Sequence, residues 1–397
     1  MMKRIISFLF MTILAHLTTM ISVSATELTQ YTATQVQRAY QLQQEDKLPE
    51  AIKTLQKLEL KKHYDLAYVA RMLGVFYWQD NQPDNAIEQL NDAVESGFLA
   101  GEQVWSTRRM LADILLSQEQ FAKAIPHYYK LANTLPKSEE GSVLWMRIAQ
   151  SHYQIAQWEK SLIALNKYEQ FNRPDTVPPL SLKLGAQLQL KQWINATSTL
   201  ERLLVLQPDK VNWWRQLVGI QLRLNQSRAA LNSLSLAKLQ GVELSQQDLV
   251  LLAQLYAKRG VPERAAEIFS TLDGVKTDIG LLTEQAMYWQ LAKEWQKSIS
   301  TWSLAAKLNP KYHWNVAQLL IQEGQYRQAL VSLVNVSEKH KQADVALAKT
   351  RVFYKLNQLE KALISAKHAY NITPSTEATS WIKYLTQLKT ALSSASS

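Results

Sequence analysis

The sequence predicts an all-α protein built as a solenoid of helical hairpins, and three observations predict it. Glycine and proline number only 11 each in 397 residues, while hydrophobic residues make up 47% and charged residues 20%, globular values that argue against disorder over most of the chain. Apolar residues recur at helical spacing: Leu249, Leu252, Ala253 and Tyr256 form one stripe, Gly260-Val261-Pro262 breaks it, and Ala265, Ile268, Phe269 and Leu272 resume it. The alanines let two backbones approach, and Tyr256 and Phe269 fill the space beside them. A hairpin of about 30 residues cannot bury its apolar face alone, so it must repeat.

It does. The small residue that opens the second helix of each hairpin falls at Ala51, Ala86, Ala124, Ser161, Ala196, Ala230, Ala265, Ser298, Ala329 and Ala362, with gaps of 35, 38, 37, 35, 34, 35, 33, 31 and 33 residues. Twelve residues before this mark stand small residues such as Gly74, Ala112, Ala149 and Ala286; four after it stand bulky ones such as Leu90, Tyr128, Phe269 and Trp302. Proline follows twelve after it at Pro136, Pro208, Pro310 and Pro374. A period near 34 with these alternations is the tetratricopeptide (TPR) signature. The expected architecture is about ten helix-turn-helix repeats in one right-handed superhelix, closed by a C-terminal cap helix.

The elements follow in order. Residues 1–25 have Lys3 and Arg4, an apolar run and small residues at Val23 and Ala25, the layout of a signal peptide cleaved after Ala25; the alternative is an uncleaved anchor, since the run approaches spanning length. Residues 26–172 hold about four repeats. Residues 173–179 form a joint, because Pro174, Pro178 and Pro179 forbid a continuous helix. Residues 180–374 hold about six repeats, and Gly185 and Gly219, one place late in two of them, predict a first helix or turn altered by one residue. Residues 375–392 read as the cap helix, with Ser375 or Thr376 at its N-cap and Trp381, Leu385 and Leu388 facing the last repeat. Residues 393–397 are a disordered tail.

Function classes can be narrowed. With no cysteine the chain is neither an acylated lipoprotein nor a disulfide scaffold. The leader carries two of the basic residues, which leaves 42 Lys and Arg against 34 Asp and Glu in the rest; bases alternate with acids in no long run, so nucleic acid is not an expected partner. Phosphate loops, dinucleotide fingerprints, zinc-protease helices and nucleophile elbows are all missing from the sequence. Two SxxK strings, Ser235 to Lys238 and Ser380 to Lys383, fall on expected solenoid helices without partner motifs, and no two histidines stand four apart. The expectation is no catalysis, metal, cofactor or small-molecule substrate.

Aromatics and arginines carry the remaining signal. Trp105, Trp145, Trp214, Trp289, Trp295 and Trp302 coincide with bulky packing positions. Trp78 and Trp314 fall on the expected concave face of the first helices, with Arg71, Arg109, Tyr153, Arg215, Arg351 and Tyr354. Superhelical grooves bind segments of other proteins through such side chains, and these eight are the candidate partner-binding groove. The alternative is that they are solvated residues whose stems pack on their own helices.

Beyond the repeat, the strings DLAYVARMLGVFYWQD, VLWMRIAQSHY, LKLGAQLQLKQW, DKVNWWRQLVGIQLRL and LLAQLYAKRGVPERAAEIF occur in this order between Tyr64 and Val336. They resemble an exported TPR family of Gram-negative gammaproteobacteria associated with the TonB system, at packing positions such as Leu73-Gly74, Tyr77-Trp78, Leu184-Gly185, Trp213-Trp214 and Leu255-Tyr256. The resemblance implies a periplasmic accessory of energised outer-membrane uptake, of ferric siderophores or haem for example, with TonB, ExbB or ExbD homologues as partners and membrane contact only through them. The sequence fits equally a TPR scaffold of another envelope machine, such as polysaccharide export or outer-membrane protein assembly.

Overall fold

The computed structural model describes residues 27–394; the expected leader at residues 1–25 and residues 395–397 of the expected tail lie outside the described residues. The chain divides into two compact units between Gln192 and Trp193. No described residue is in a β-strand, and no described helix is long and apolar enough to cross a membrane.

The first unit contains α1 (Gln30–Gln44), α2 (Leu48–Gln56), α3 (His63–Gln79), α4 (Pro83–Glu95), α5 (Gly101–Ser117), α6 (Phe121–Asn133), α7 (Gly141–Gln154), α8 (Trp158–Glu169) and α9 (Val177–Gln189). The second begins with α10 (Trp193–Leu206) and continues through α11 (Val211–Arg223), α12 (Ser227–Leu239), α13 (Gln246–Lys258), α14 (Pro262–Ser270), α15 (Ile279–Leu291) and α16 (Trp295–Leu308). It ends with α17 (His313–Gln322), α18 (Tyr326–Val334), α19 (Gln342–Lys355), α20 (Leu359–Ile372) and α21 (Thr376–Ser394). Within each unit consecutive helices pack against one another, and the described residues form an all-α protein with TPR-type hairpins.

One turn recurs throughout. Five residues before each of the ten register marks the backbone is left-handed: at Asp46, Asn81, Glu119, Ala156 and Lys191 in the first unit, and at Asn225, Gly260, Lys293, Gly324 and Asn357 in the second. The next residue donates its N–H to the carbonyl five positions back, as Gln82 does to Tyr77 at 2.8 Å and Val261 to Tyr256 at 3.0 Å. This is the Schellman closure of a helix C-terminus, and the donating residue then immediately precedes the following helix. Glutamine occupies that position seven times, from Gln82 to Gln358. Because Lys191 (φ 55°) and Asn225 (φ 59°) keep the common spacing to Ala196 and Ala230, no residue is gained or lost in α9, α11 or their turns. The expected one-residue alteration there is corrected: Leu184 and Val218, both buried, replace the small residue, and the late glycines do not shift the register.

The close approach is literal at Gly74, where a Cβ would lie 2.5 Å from Leu90 Cγ, so α3 and α4 meet without a side chain between them. Every mark residue is fully buried. Where the mark is serine its hydroxyl is satisfied across the hairpin: Ser161 Oγ donates to the Ala149 carbonyl and Ser298 Oγ to the Ala286 carbonyl, each at 2.9 Å. Trp105, Trp214, Trp289 and Trp302 are buried, and Trp145 and Trp295 pack half-buried against the same cores. At the C-terminus Ser375 caps α21 by accepting from the Ala378 N–H, and Leu385 is buried with Trp381 beside it. Ser393 and Ser394, expected in the tail, belong to α21.

Candidate partner-binding surface

The eight candidates occupy three columns of the first helices. Counted back from the mark they stand at fifteen (Arg71, Arg109, Arg215, Trp314), eleven (Arg351) and eight (Trp78, Tyr153, Tyr354), which is i, i+4 and i+7 spacing on one helical face. What each side chain touches differs sharply.

In the first unit, Arg71 and Trp78 lie two turns apart on α3. Arg71 is half-buried, with no ion pair or hydrogen bond to its guanidinium among the described residues. Trp78 is 39% exposed, and none of the other eleven tryptophans is classed exposed. Arg109 on α5 is engaged: its Nη1 reaches Glu139, in the link before α7, at 3.1 Å, its Nε reaches Asp113 at 3.5 Å, and its guanidinium lies 5.7 Å from the Trp105 ring centre. Tyr153 on α7 packs edge-on to Trp158 at 4.8 Å, and a Cβ at Gly185 of α9 would overlap its hydroxyl. Gly185 is therefore the space that seats Tyr153.

In the second unit, Arg215 on α11 forks onto Asp248 of α13, with Nε 3.1 and 3.0 Å from the two carboxylate oxygens and Nη2 2.8 Å from one. Asp248 also completes the capping box with Ser245. Burial pushes the Asp248 carboxyl up, but the bonds from Arg215 and Ser245 outweigh this and hold it below its ordinary range. The structure brings Trp314 and Arg351 together: both line an open pocket of about 540 Å³ with Gln318, Lys341, Asp344 and Glu377. The Lys341 ammonium sits 5.3 Å from the Trp314 ring centre, and Arg351 pairs with Glu377 of α21. Tyr354 faces a neighbouring aromatic cluster, with its hydroxyl 2.9 Å from that of Tyr384 and its ring 5.5 Å from Trp381.

Three arginines thus tie a first helix to the next repeat, at Arg109–Glu139, Arg215–Asp248 and Arg351–Glu377. Arg71 and Trp78, and the Trp314–Arg351 pocket, keep open polar and aromatic surface. Sequence reasoning missed Lys341, which lies in a link, and Asp344 and Glu377, which lie in the first turns of α19 and α21, all outside the three columns; an overlooked signal was the concentration of basic residues toward the C-terminus. Among the described residues no group of three or more His, Cys, Asp or Glu is placed to hold a metal ion.

The turns, marks and packing define a TPR-type helical-repeat protein. No protein-family model and no curated protein sequence matches the chain. Among solved structures it is similar to one described as Naa15/Naa10 bound to HypK, at 14% identity and TM-score 0.44, over 89% of this chain and 59% of that one, so it spans well under two thirds of that relative. It is also similar to a tetratricopeptide repeat protein from Parabacteroides merdae (12% identity, TM-score 0.26, 72% of this chain and 99% of that one). A third is the anaphase-promoting complex hetero-tetramer Cut9–Hcn1 (13%, 0.27, 89% and 83%). The fold assignment rests on the chain's own turn register, and these likenesses bring no partner or activity with them.

Proposed function

We propose that this protein is an exported scaffold that holds a segment of another protein against the first-helix face of its repeats and performs no chemistry of its own. The observation that carries the reading is the pairing of Trp314 and Arg351 in one open pocket of about 540 Å³, built from three successive first-position helices, α17, α19 and α21. An indole beside charged, forked donors suits a polypeptide, whose apolar side chains the aromatic ring anchors and whose carboxylates or carbonyls the guanidinium bonds. We place the protein in the periplasm on the layout of residues 1–25, and assign it to TonB-dependent uptake on the resemblance of its repeat strings alone.

Crosslinking in living cells tests both levels. A photoreactive residue placed at 78 or at 314 should capture a protein partner, while one at 88, on an exposed second-helix position, should not. Capture of a TonB, ExbB or ExbD homologue supports the system assignment. Capture of polysaccharide-export or outer-membrane assembly proteins keeps the scaffold and reassigns its machine. Equal capture from all three positions overturns the surface.

A further inference from the structure

The excess positive charge of this protein is not spread along its repeats. Residues 26–300 carry 30 Lys and Arg against 29 Asp and Glu, close to neutral, whereas residues 301–397 carry 12 against 5, a balance of +7. Few of these bases are neutralised: only Arg351, on Glu377, and Lys389, on Glu360, reach a carboxylate among the described residues. Lys355, Lys367 and Lys383 are exposed and pair with no carboxylate among the described residues, and Lys341 lies over the face of Trp314. In the midst of this charge lies the Trp314–Arg351 pocket, with Ile321, Leu347 and Ala348 as its apolar lining.

We propose that the segment formed by α17 to α21 is the docking end of the scaffold, and that its occupant is an extended, acidic polypeptide segment carrying at least one large apolar side chain. The proposal rests on the scaffold reading and adds the partner's chemistry to it. A balance of +7 over fewer than a hundred residues produces a local field that attracts a polyanion and speeds its encounter. That field alone would also suit a membrane of anionic lipids. The pocket decides for a polypeptide: it is a concave cleft whose indole and apolar lining can seat a side chain, and its two carboxylates, Asp344 and Glu377, can accept from a partner's backbone N–H groups, donors that a headgroup phosphate lacks. The charge also sits on both helices of the α19–α20 hairpin and on α21, instead of forming one stripe that could lie flat on a bilayer.

The test uses the chain from residue 26 to 397 and a fluorescent synthetic peptide of about twelve residues, rich in Glu and Asp with central Leu and Phe, followed by anisotropy. Binding is expected to weaken about tenfold or more between about 50 and about 200 mM salt, as screening of a charged encounter requires. Lys341→Glu with Arg351→Glu should weaken it about tenfold or more. Lys355→Glu with Lys383→Glu, which breaks no contact, should weaken it several-fold. Lys53→Glu with Lys123→Glu, an equal change of net charge at exposed positions of the first unit, should leave it unchanged. Equal losses in all three double variants would overturn the proposal, since net charge alone would then explain binding. So would absence of peptide binding, or binding only to phosphatidylglycerol vesicles. Each of those results leaves the crosslinking test of the scaffold standing on its own.

Discussion

The hydroxyl of Ser161 donates to the carbonyl of Ala149 across 2.9 Å, twelve residues back and on the facing helix of the same hairpin. Ser298 and Ala286 repeat the bond in the second unit. A serine replaces alanine at a fully buried contact because the small-residue carbonyl opposite is within reach, so the cost of burying the hydroxyl is offset. Ser161→Ala, which restores the residue found at eight of the ten marks, should therefore change stability by no more than about 1 kcal/mol. Ser161→Val should cost about 1–3 kcal/mol by overpacking. Denaturant unfolding of both variants checks this, and a Val variant as stable as the parent would remove α7–α8 from the close contacts.

The left-handed turn residues predict opposite effects at different turns. Ala156 has φ 57° and a side chain that disfavours it, whereas Gly260 has φ 85° at no such cost. Ala156→Gly should stabilise by about 0.5–1 kcal/mol, and Gly260→Ala should destabilise by roughly 1 kcal/mol. Thermal melts in which both changes moved stability the same way would refute the assignment of the turn.

Trp302 separates packing from hydrogen bonding. It is 4% exposed, its ring centre lies 5.4 Å from that of Tyr312, and its indole nitrogen has no hydrogen-bond partner among the described residues. Trp302→Ala should cost about 3–5 kcal/mol through the cavity it leaves. Trp302→Phe should cost far less, because it removes a buried donor that makes no bond. Equal losses in the two variants would mean that the nitrogen does find a partner in solution.

Acid should loosen α1 first. Asp65 is 2% exposed and accepts from the Thr29 backbone N–H at 3.2 Å and from the hydroxyls of Thr29 and Thr32 at 2.6 and 2.7 Å. Burial pushes its pKa up, but these bonds outweigh burial and hold it below the ordinary 3.8. A depressed carboxylate contributes stability that is fully present above its unfolded value and is lost as pH falls through the lower folded one. The protection of α1 amides, measured relative to the unstructured exchange rate at each pH, should therefore fall on acidification below pH 3.8. Asp65→Asn should show fast α1 exchange already at neutral pH. Slow exchange in α1 of the Asn variant would exclude this role.

Much of the fold was legible because two periods coincide in the sequence, the helical one within each element and the longer one that places Ala86, Ala124 and Ala265 in register. The turns were less legible. Gly260 and Gly324 announce a left-handed residue, but Glu119, Ala156, Lys191 and Lys293 do not; a glutamine one place later was the signal available at the first three, and Lys293 is followed by Glu294. The candidate surface was legible by column and not by contact. Arg109, Arg215 and Arg351 find their carboxylates 30, 33 and 26 residues onward, and links of unequal length hide that pairing from any fixed spacing. Tyr153 reads as an open aromatic until α9 brings Gly185 against it.

Because the ten turns are constant, variation in repeat length falls in the helices and in the links that lead from a second helix to the next first helix. Successive marks stand 31 to 38 residues apart, yet the left-handed residue keeps its place five before each mark. The links run from three to eight residues, whereas every turn within a hairpin has three. For protein engineering this makes the two kinds unequal hosts: an epitope or reporter spliced into a second-to-first link, such as residues 134–140 or 240–245, enters where the chain already tolerates slack, while the same cargo between Asn81 and Pro83 would have to break a closure that holds two helices at once.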